Sequence, residues 1–107
     1  MADKLFLVVR GDLSPAQQAV QMGHALQEFN VVHREAADRW YSTSNTIAFL
    51  AVEDEKELEL LLVRAARRGA ETAGFREPDL GDSLTAVAIG PSGKSVCRPL
   101  RKALLGQ

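Results

Sequence analysis

"AETAGFREPDLGDSLTAVAIG", Ala70 to Gly90, decides the fold. "AETAGFRE" reads as one strand and "LTAVAIG" as another, with only the turn-forming "PDLGDS" between them. So short a link cannot hold a crossover helix, so the two strands pair antiparallel. Upstream, "DEKELELLLVRAARRG" is an amphipathic helix. Asp54 caps it, Glu57 stands at the capping-box position, Leu58, Leu61, Leu62, Ala65 and Ala66 make one face, and Gly69 ends it. "KLFLVVR", Lys4 to Arg10, and "TIAFLAV", Thr46 to Val52, are short apolar runs that suit strands of a covered sheet.

A further helix begins after Ser14, a plausible N-cap, with Pro15 in its first turn and Gln17 three residues on. It is expected to run to about Asn30, and "VVHREAADRWY" either prolongs it or begins another. The tail "PSGKSVCRPLRKALLGQ" reads as one or two short helical turns broken near Pro99. The expected fold is α/β: one small domain over residues 1–107, a four-stranded mixed sheet flanked by helices on both faces in three layers.

The net charge of −1 demands no nucleic-acid partner, but the charge is unevenly spread. From Gly90 onward there are Lys94, Arg98, Arg101 and Lys102 and no acidic residue, which suits a phosphate-facing patch as well as a solubilising tail. A single cysteine, Cys97, excludes an intrachain disulfide and fits a reducing cytoplasm. No apolar run approaches a membrane span, and "LFLVV" is too short for a signal segment. A cytoplasmic protein without a membrane partner is expected.

"GPSGKS" follows the last strand, where a phosphate-binding loop would sit. That motif needs four residues between its first glycine and the Gly-Lys pair; here Gly90 and Gly93 are separated by two, and Ala88 stands where the first glycine should be. The loop is too short to wrap phosphates with its amides.

The chemistry lies elsewhere. Gln17, Gln21, His24 and Glu28 are spaced four, three and four apart and fall in one stripe of the first helix. Ala16, Ala19, Val20, Gly23 and Leu26 make a neighbouring apolar face, so the stripe is expected to border the buried side, where a side chain can line a cleft. Gln17 can equally complete the capping box, and Glu28 can hold His24 one turn away. A second cluster, "FREPDLGD", gathers Glu77, Asp79 and Asp82 in a turn at a strand end, where open sheets bind ligands. A third, "RGDLS", places Arg10 and Asp12 at the exit of the first strand.

Four stretches in order, "LFLVVRGDLSPAQQAVQMGHA", "NTIAFLAVEDEKELELLL", "FREPDL" and "LTAVAIGP", resemble the archaeal and eukaryotic-type peptidyl-tRNA hydrolases. The resemblance covers most of the chain and is weaker over residues 31–44 and after Pro91. It implies hydrolysis of the ester between a nascent peptide and the terminal ribose of tRNA, with no metal or organic cofactor. It matches His24 and Gln21 to the family's histidine and glutamine, Arg10 and Asp12 to its Arg-x-Asp pair, and Glu77 to an aspartate after the third strand. The expected catalytic residues are His24, Glu77 and Gln21, and the expected substrate contacts are Arg10, Asp12, Gln17, Asp79, Lys94 and Arg98. Two features depart from the family. Its lysine seven residues before the histidine is Gln17 here, and its loop after the third strand is shortened to "PDLGDS".

Such chemistry needs no covalent nucleophile. A histidine ordinarily titrates at about 6.5, so it can activate water while an acidic neighbour, Glu77 or Glu28, orients it. Cys97 has no histidine near it in sequence. The implied partner is tRNA, and a homodimer is left open. The competing readings are a tRNA- or protein-binding module of the same fold without catalysis, and a hydrolase of another ester or amide.

Overall fold

The computed structural model describes residues 3–103. The two apolar runs form β1 (Lys4–Arg10) and β2 (Thr46–Val52), paired parallel over their whole length. Between them lie α1 (Pro15–Val32) and α2 (Arg34–Thr43). The stretch after Asn30 therefore extends the first helix by two residues and then begins a second. His33 separates the two helices, and its Nε2–H donates to Thr72 O at 2.8 Å.

The next helix, α3 (Glu55–Arg67), is capped as its sequence dictates. Asp54 accepts from the Glu57 N–H at 3.0 Å, and the Glu57 carboxylate reaches back to the Glu53 N–H. β3 (Thr72–Glu77) and β4 (Ser83–Ile89) follow as the expected antiparallel pair. Gly81 and Asp82 make the reversal with φ of 66° and 59°, a left-handed conformation that glycine and aspartate tolerate better than most residues.

The tail gives one helical turn, α4 (Lys94–Cys97), and then β5 (Arg101–Lys102). Among the described residues the sheet thus has five strands rather than four, in the order β3-β4-β1-β2-β5. The fifth has no sequence pattern of its own: it is two exposed basic residues laid antiparallel along Leu50 and Ala51 once Pro99 has ended the helical turns. The second glycine of "GPSGKS" has a packing role, because a Cβ at Gly93 would collide with the Ile89 side chain.

Alternation along β1 separates two cores. Leu5, Leu7 and Val9 join Met22, Ala25 and Phe29 of α1 and Ala36, Ala37 and Trp40 of α2. Phe6 and Val8 join Leu58, Leu61 and Ala65 of α3 and Val96 and Cys97 of α4. The two clusters lie on opposite faces of the sheet.

The buried face of α1 differs from the expected one. Ala16, Ala19, Val20 and Gly23 are exposed, and the helix instead buries Gln18, Gln21, Met22, Ala25 and Phe29. The two glutamines can be buried because each amide nitrogen donates to two acceptors. The Gln18 amide donates to the Leu13 carbonyl at 2.8 Å and the Gly11 carbonyl at 3.4 Å, tying the helix to the loop that precedes it.

Candidate functional site

β3 brings Phe75 and Glu77 to the α1 face of the sheet, two residues apart and therefore on the same side. Opposite them the β3–β4 register shifts: Phe75 pairs with Ala86 but Arg76 with Leu84, leaving Thr85 as the extra residue of a β-bulge. A bulge can re-aim a side chain, and the Thr85 hydroxyl points at α1, where it donates to Gln21 Oε1 at 2.8 Å.

Gln21 is the hub of the site. Its side chain is wholly buried, 0% exposed, and its amide nitrogen donates to Glu77 Oε1 at 2.9 Å and to Gln17 Oε1 at 3.0 Å. The chain Thr85–Gln21–Glu77 ties α1 to the β3–β4 pair, which lies far from it in sequence. The second carboxylate oxygen of Glu77 accepts from the Asp79 N–H at 3.4 Å, capping the turn Pro78–Leu80. The Gln21 hydrogen bond, with lesser help from the Asp79 N–H and the charge of nearby His24, holds the Glu77 carboxyl below the usual carboxylate range despite some loss of water.

His24 stands one turn above Gln21, exposed, with its ring stacked on Phe75 at a centroid separation of 4.3 Å and an interplanar angle of 12°. Among the described residues the ring accepts and donates no hydrogen bond within the protein, so stacking, not a carboxylate, fixes its plane. Glu77 is spoken for by Gln21, and Glu28 is exposed. Gln17 does not complete the capping box with its side chain. Its backbone N–H meets Ser14 Oγ at 3.2 Å, but its amide oxygen turns inward to Gln21.

Arg10 and Asp12 form a bidentate ion pair, both contacts 2.9 Å, and Arg10 also donates to Ser83 Oγ at 3.2 Å, fastening the exit of β1 to the start of β4. Their mutual hydrogen bonding lowers the Asp12 pKa and raises that of Arg10. Lys94 and Arg98 are not brought here. Lys94 opens α4 and Arg98 follows it, and Val96 and Cys97 of that helix pack on the other face of the sheet. Cys97 is buried there, and burial pushes its thiol up to about 11, which leaves little thiolate at neutral pH.

The structure therefore collects Gln17, Gln21, His24, Glu77 and Asp79 on one rim and adds two residues that sequence patterns alone do not single out, Phe75 and Thr85. The signal for Phe75 is its place two residues before Glu77, and for Thr85 its being the hydroxyl in an otherwise apolar run.

The small mixed α/β domain thus presents an exposed histidine near a buttressed carboxylate whose pKa is lowered. The chain belongs to the peptidyl-tRNA hydrolase PTH2 family, whose profile matches residues 3–105. Among solved structures it is similar to a protein of unknown function from Agrobacterium tumefaciens str. C58, with a TM-score of 0.68 and 14% identity, over 95% of this chain and 98% of that one. At that identity the likeness speaks for the fold alone. No curated protein matches the chain. Among the described residues no helix is long and apolar enough to cross a membrane, and no group of three or more His, Cys, Asp or Glu side chains is arranged to hold a metal ion.

Proposed function

We propose that the protein hydrolyses the ester bond of peptidyl-tRNA in the cytoplasm, releasing peptide and tRNA, with His24 acting as the base that activates water. The observation that carries this reading is the hydrogen-bonded chain Thr85–Gln21–Glu77, which sets a charged carboxylate beside an exposed histidine. A protein gains nothing in packing by burying a glutamine to hold a rim carboxylate; the arrangement makes sense as electrostatic support for an imidazolium. His24 takes a proton from water as the water attacks the ester carbonyl, and returns it to the departing ribose oxygen. Glu77 stabilises the intervening charge. Gln21 is a positioning residue that holds Glu77, and Phe75 orients the imidazole.

Gln17 and Asp79 border the same rim and are suited to contact the terminal nucleotide or the peptide. Arg10 and Asp12 satisfy each other and hold the β1 exit in place, so any substrate contact they make is made as a neutral pair. Lys94 and Arg98 stand on the opposite face and could meet only a distant part of a tRNA. One observation favours a second reading, a hydrolase for a different ester or amide. Where the family carries a lysine the rim has Gln17, and Arg10 is already paired, so among the described residues the rim beside His24 offers no unpaired cation to a phosphate.

Peptide release from a model peptidyl-tRNA, compared between the wild type and His24→Ala at matched folded fraction, tests both. General-base catalysis is typically worth about 10²–10⁴-fold, and a loss of that size is expected. An alanine variant as active as the wild type would remove His24 from the mechanism. A wild type inactive on peptidyl-tRNA but active on a simple aminoacyl ester would select the second reading.

A further inference from the structure

One edge of the sheet is β3, which pairs only with β4. Its backbone groups alternate in direction. Glu71, just before the strand, and Phe75 and Glu77 within it turn their carbonyls inward, to the Gly90 N–H, the Thr85 hydroxyl and the Asp82 N–H. Thr72, Gly74 and Arg76 therefore turn theirs outward. The His33 ring meets the Thr72 carbonyl, and Pro78, next in the outward series, has no N–H and opens the turn. Between these stops Gly74 and Arg76 present their N–H and C=O groups to no partner among the described residues. The chain ends do not reach this place. Residues 104–107 follow Ala103, on the far side of β2, and four residues span at most about 14 Å, whereas four strand spacings separate β5 from β3, about 19 Å. Residues 1–2 precede Asp3, and Gly74 is level with Val8, about 16 Å further along β1 and two strands away, against a reach of about 7 Å.

Folded proteins blunt a strand edge with charge, proline or a bulge. Here each device is directed away from it. Arg76 is drawn to Glu59 of α3 at 3.0 Å, and Glu77 turns to Gln21 of α1. The bulge lies on β4, at Thr85, so β3 keeps its regular alternation. The open edge also runs past the candidate site. Phe75, between the two open residues, carries the His24 ring. Met22 and Leu26 of α1 line a hollow with Ile47 and Phe49 of β2, so the other flank of the helix, with His24, faces β3. Residues across from each other on neighbouring strands share a face, so the residue of an added strand opposite Phe75 stands on the side of His24.

We propose that the β3 edge holds the peptide half of the substrate as an added strand, bonded through the backbone at Gly74 and Arg76, so that its ester comes to His24. The inference rests on the hydrolase reading and says how one site serves peptides of any sequence: main-chain bonds supply affinity without reading side chains. Pairing is confined between His33 and Pro78, so only the few residues next to the ester take part.

The test follows peptide release by the full chain from tRNA carrying acetyl-tetraalanine. Adjacent residues of a strand point their N–H groups to opposite sides, so N-methylation of the second and of the third alanine from the ester should act unequally. One should lower kcat/KM about tenfold and the other about twofold at most. Arg76→Pro removes an outward N–H where an edge strand tolerates proline, and at matched folded fraction it should lower kcat/KM about tenfold. Glu59→Gln breaks the same ion pair, keeps the backbone and should not. Should Arg76→Pro fail to fold, the methylated pair decides alone. A wild type that releases no peptide from the unmethylated substrate sinks the hydrolase reading and the proposal with it. Release with equal effects of the two methyl groups, or a folded Arg76→Pro as active as the wild type, overturns the proposal and leaves the hydrolase reading standing. A wild type that sediments as a dimer, and as a monomer once Arg76→Pro is made, gives the edge to a second copy and overturns it too.

Discussion

The two faces of the sheet are built to different rules. On the α3 side every buried residue of the cluster is apolar, from Phe6 and Val8 to Leu58, Leu61, Leu84 and Ile89. On the α1 side an apolar cluster of similar make-up shares the helix with two buried glutamines, and a buried threonine faces them from β4. No buried side-chain nitrogen or oxygen among the described residues lacks a partner, so the polar groups are tolerated because their network is complete. The difference teaches what burial of polar groups requires. Packing alone would fill the place of Gln21 with leucine, as the other face does; the glutamine instead ties Glu77, Gln17 and Thr85 together.

The largest effect on stability should come from the α3 face. Leu61→Ala opens a cavity among α3, β1 and β4, and such truncations cost about 2–5 kcal/mol. Denaturant unfolding should show that loss, while hydrolysis per folded molecule stays near the wild-type value. A fall in specific activity on a par with that of His24→Ala would mean the two faces are not separable.

Next is Gln21→Leu, which gives the α1 side the composition of the other. It removes the donor to Glu77 and leaves the Thr85 hydroxyl with only the Phe75 carbonyl, 3.2 Å away. Lost hydrogen bonds of this kind cost about 1–3 kcal/mol when a buried partner is left unsatisfied. Activity should fall much further than that stability loss explains, because Glu77 is no longer positioned. Thr85→Val should cost less, about 1 kcal/mol, and a double-mutant cycle with Gln21→Leu should show that the two losses do not add. Additive losses would break the chain into independent contacts.

Acid sharpens the same comparison. The Glu77 pKa is lowered by folding, chiefly through the Gln21 hydrogen bond, so its contribution to stability is complete above the unfolded carboxylate value of about 4.3 and disappears as pH falls through the lower folded value. The stability gap between wild type and Gln21→Leu, measured by urea unfolding, should therefore be widest near neutrality and narrow in acid. A gap that is constant or widens in acid would mean that Glu77 is not held as a carboxylate by Gln21.

The same contrast governs how much of the molecule is legible in its sequence. The strands and α3 are legible because their burial is apolar and periodic: Leu58, Leu61 and Ala65 point inward as their spacing requires. The orientation of α1 is not, since its inward residues include glutamines whose partners, Leu13, Glu77 and Thr85, lie 5, 56 and 64 residues away. Ala16, Ala19, Val20 and Gly23 look like a core face only if polarity alone decides burial. His24, Gln21 and Glu77 are legible as candidates in a stripe and a turn, and the family resemblance joins them; the structure places Gln21 against Glu77 and His24 one turn away on the same helix. Thr85 is not, because only the bulge opposite Phe75 turns it toward α1, and register is a property of the paired strands. β5 escapes the sequence for a similar reason: two basic residues become a strand only because β2 offers them an edge.

The smallest change in stability, and the most informative about the rim, is expected from Gln17→Lys. Gln17 is exposed, so the substitution disturbs no packing. It removes the acceptor for one of the two Gln21 amide bonds while the bond to Glu77 remains, a change of about 0.5–1.5 kcal/mol at most. The cap at the start of α1 is preserved, since Ser14 receives the Gln17 backbone N–H and not its side chain. What the lysine adds is a cation on the same stripe as His24, at the position where the family carries one. If the rim binds a phosphate or stabilises an oxyanion, turnover on peptidyl-tRNA should rise severalfold, and the gain should vanish in a Gln17→Lys, His24→Ala double variant. If the ammonium simply pairs with Glu77, the carboxylate is neutralised and turnover falls instead. A simple ester without phosphate separates the phosphate contact from the oxyanion contact: a gain confined to peptidyl-tRNA assigns the lysine to the nucleotide, and a gain on both assigns it to the reacting carbonyl. Unchanged rates on both substrates would leave position 17 as a helix-surface residue that serves only to complete the hydrogen bonding of Gln21.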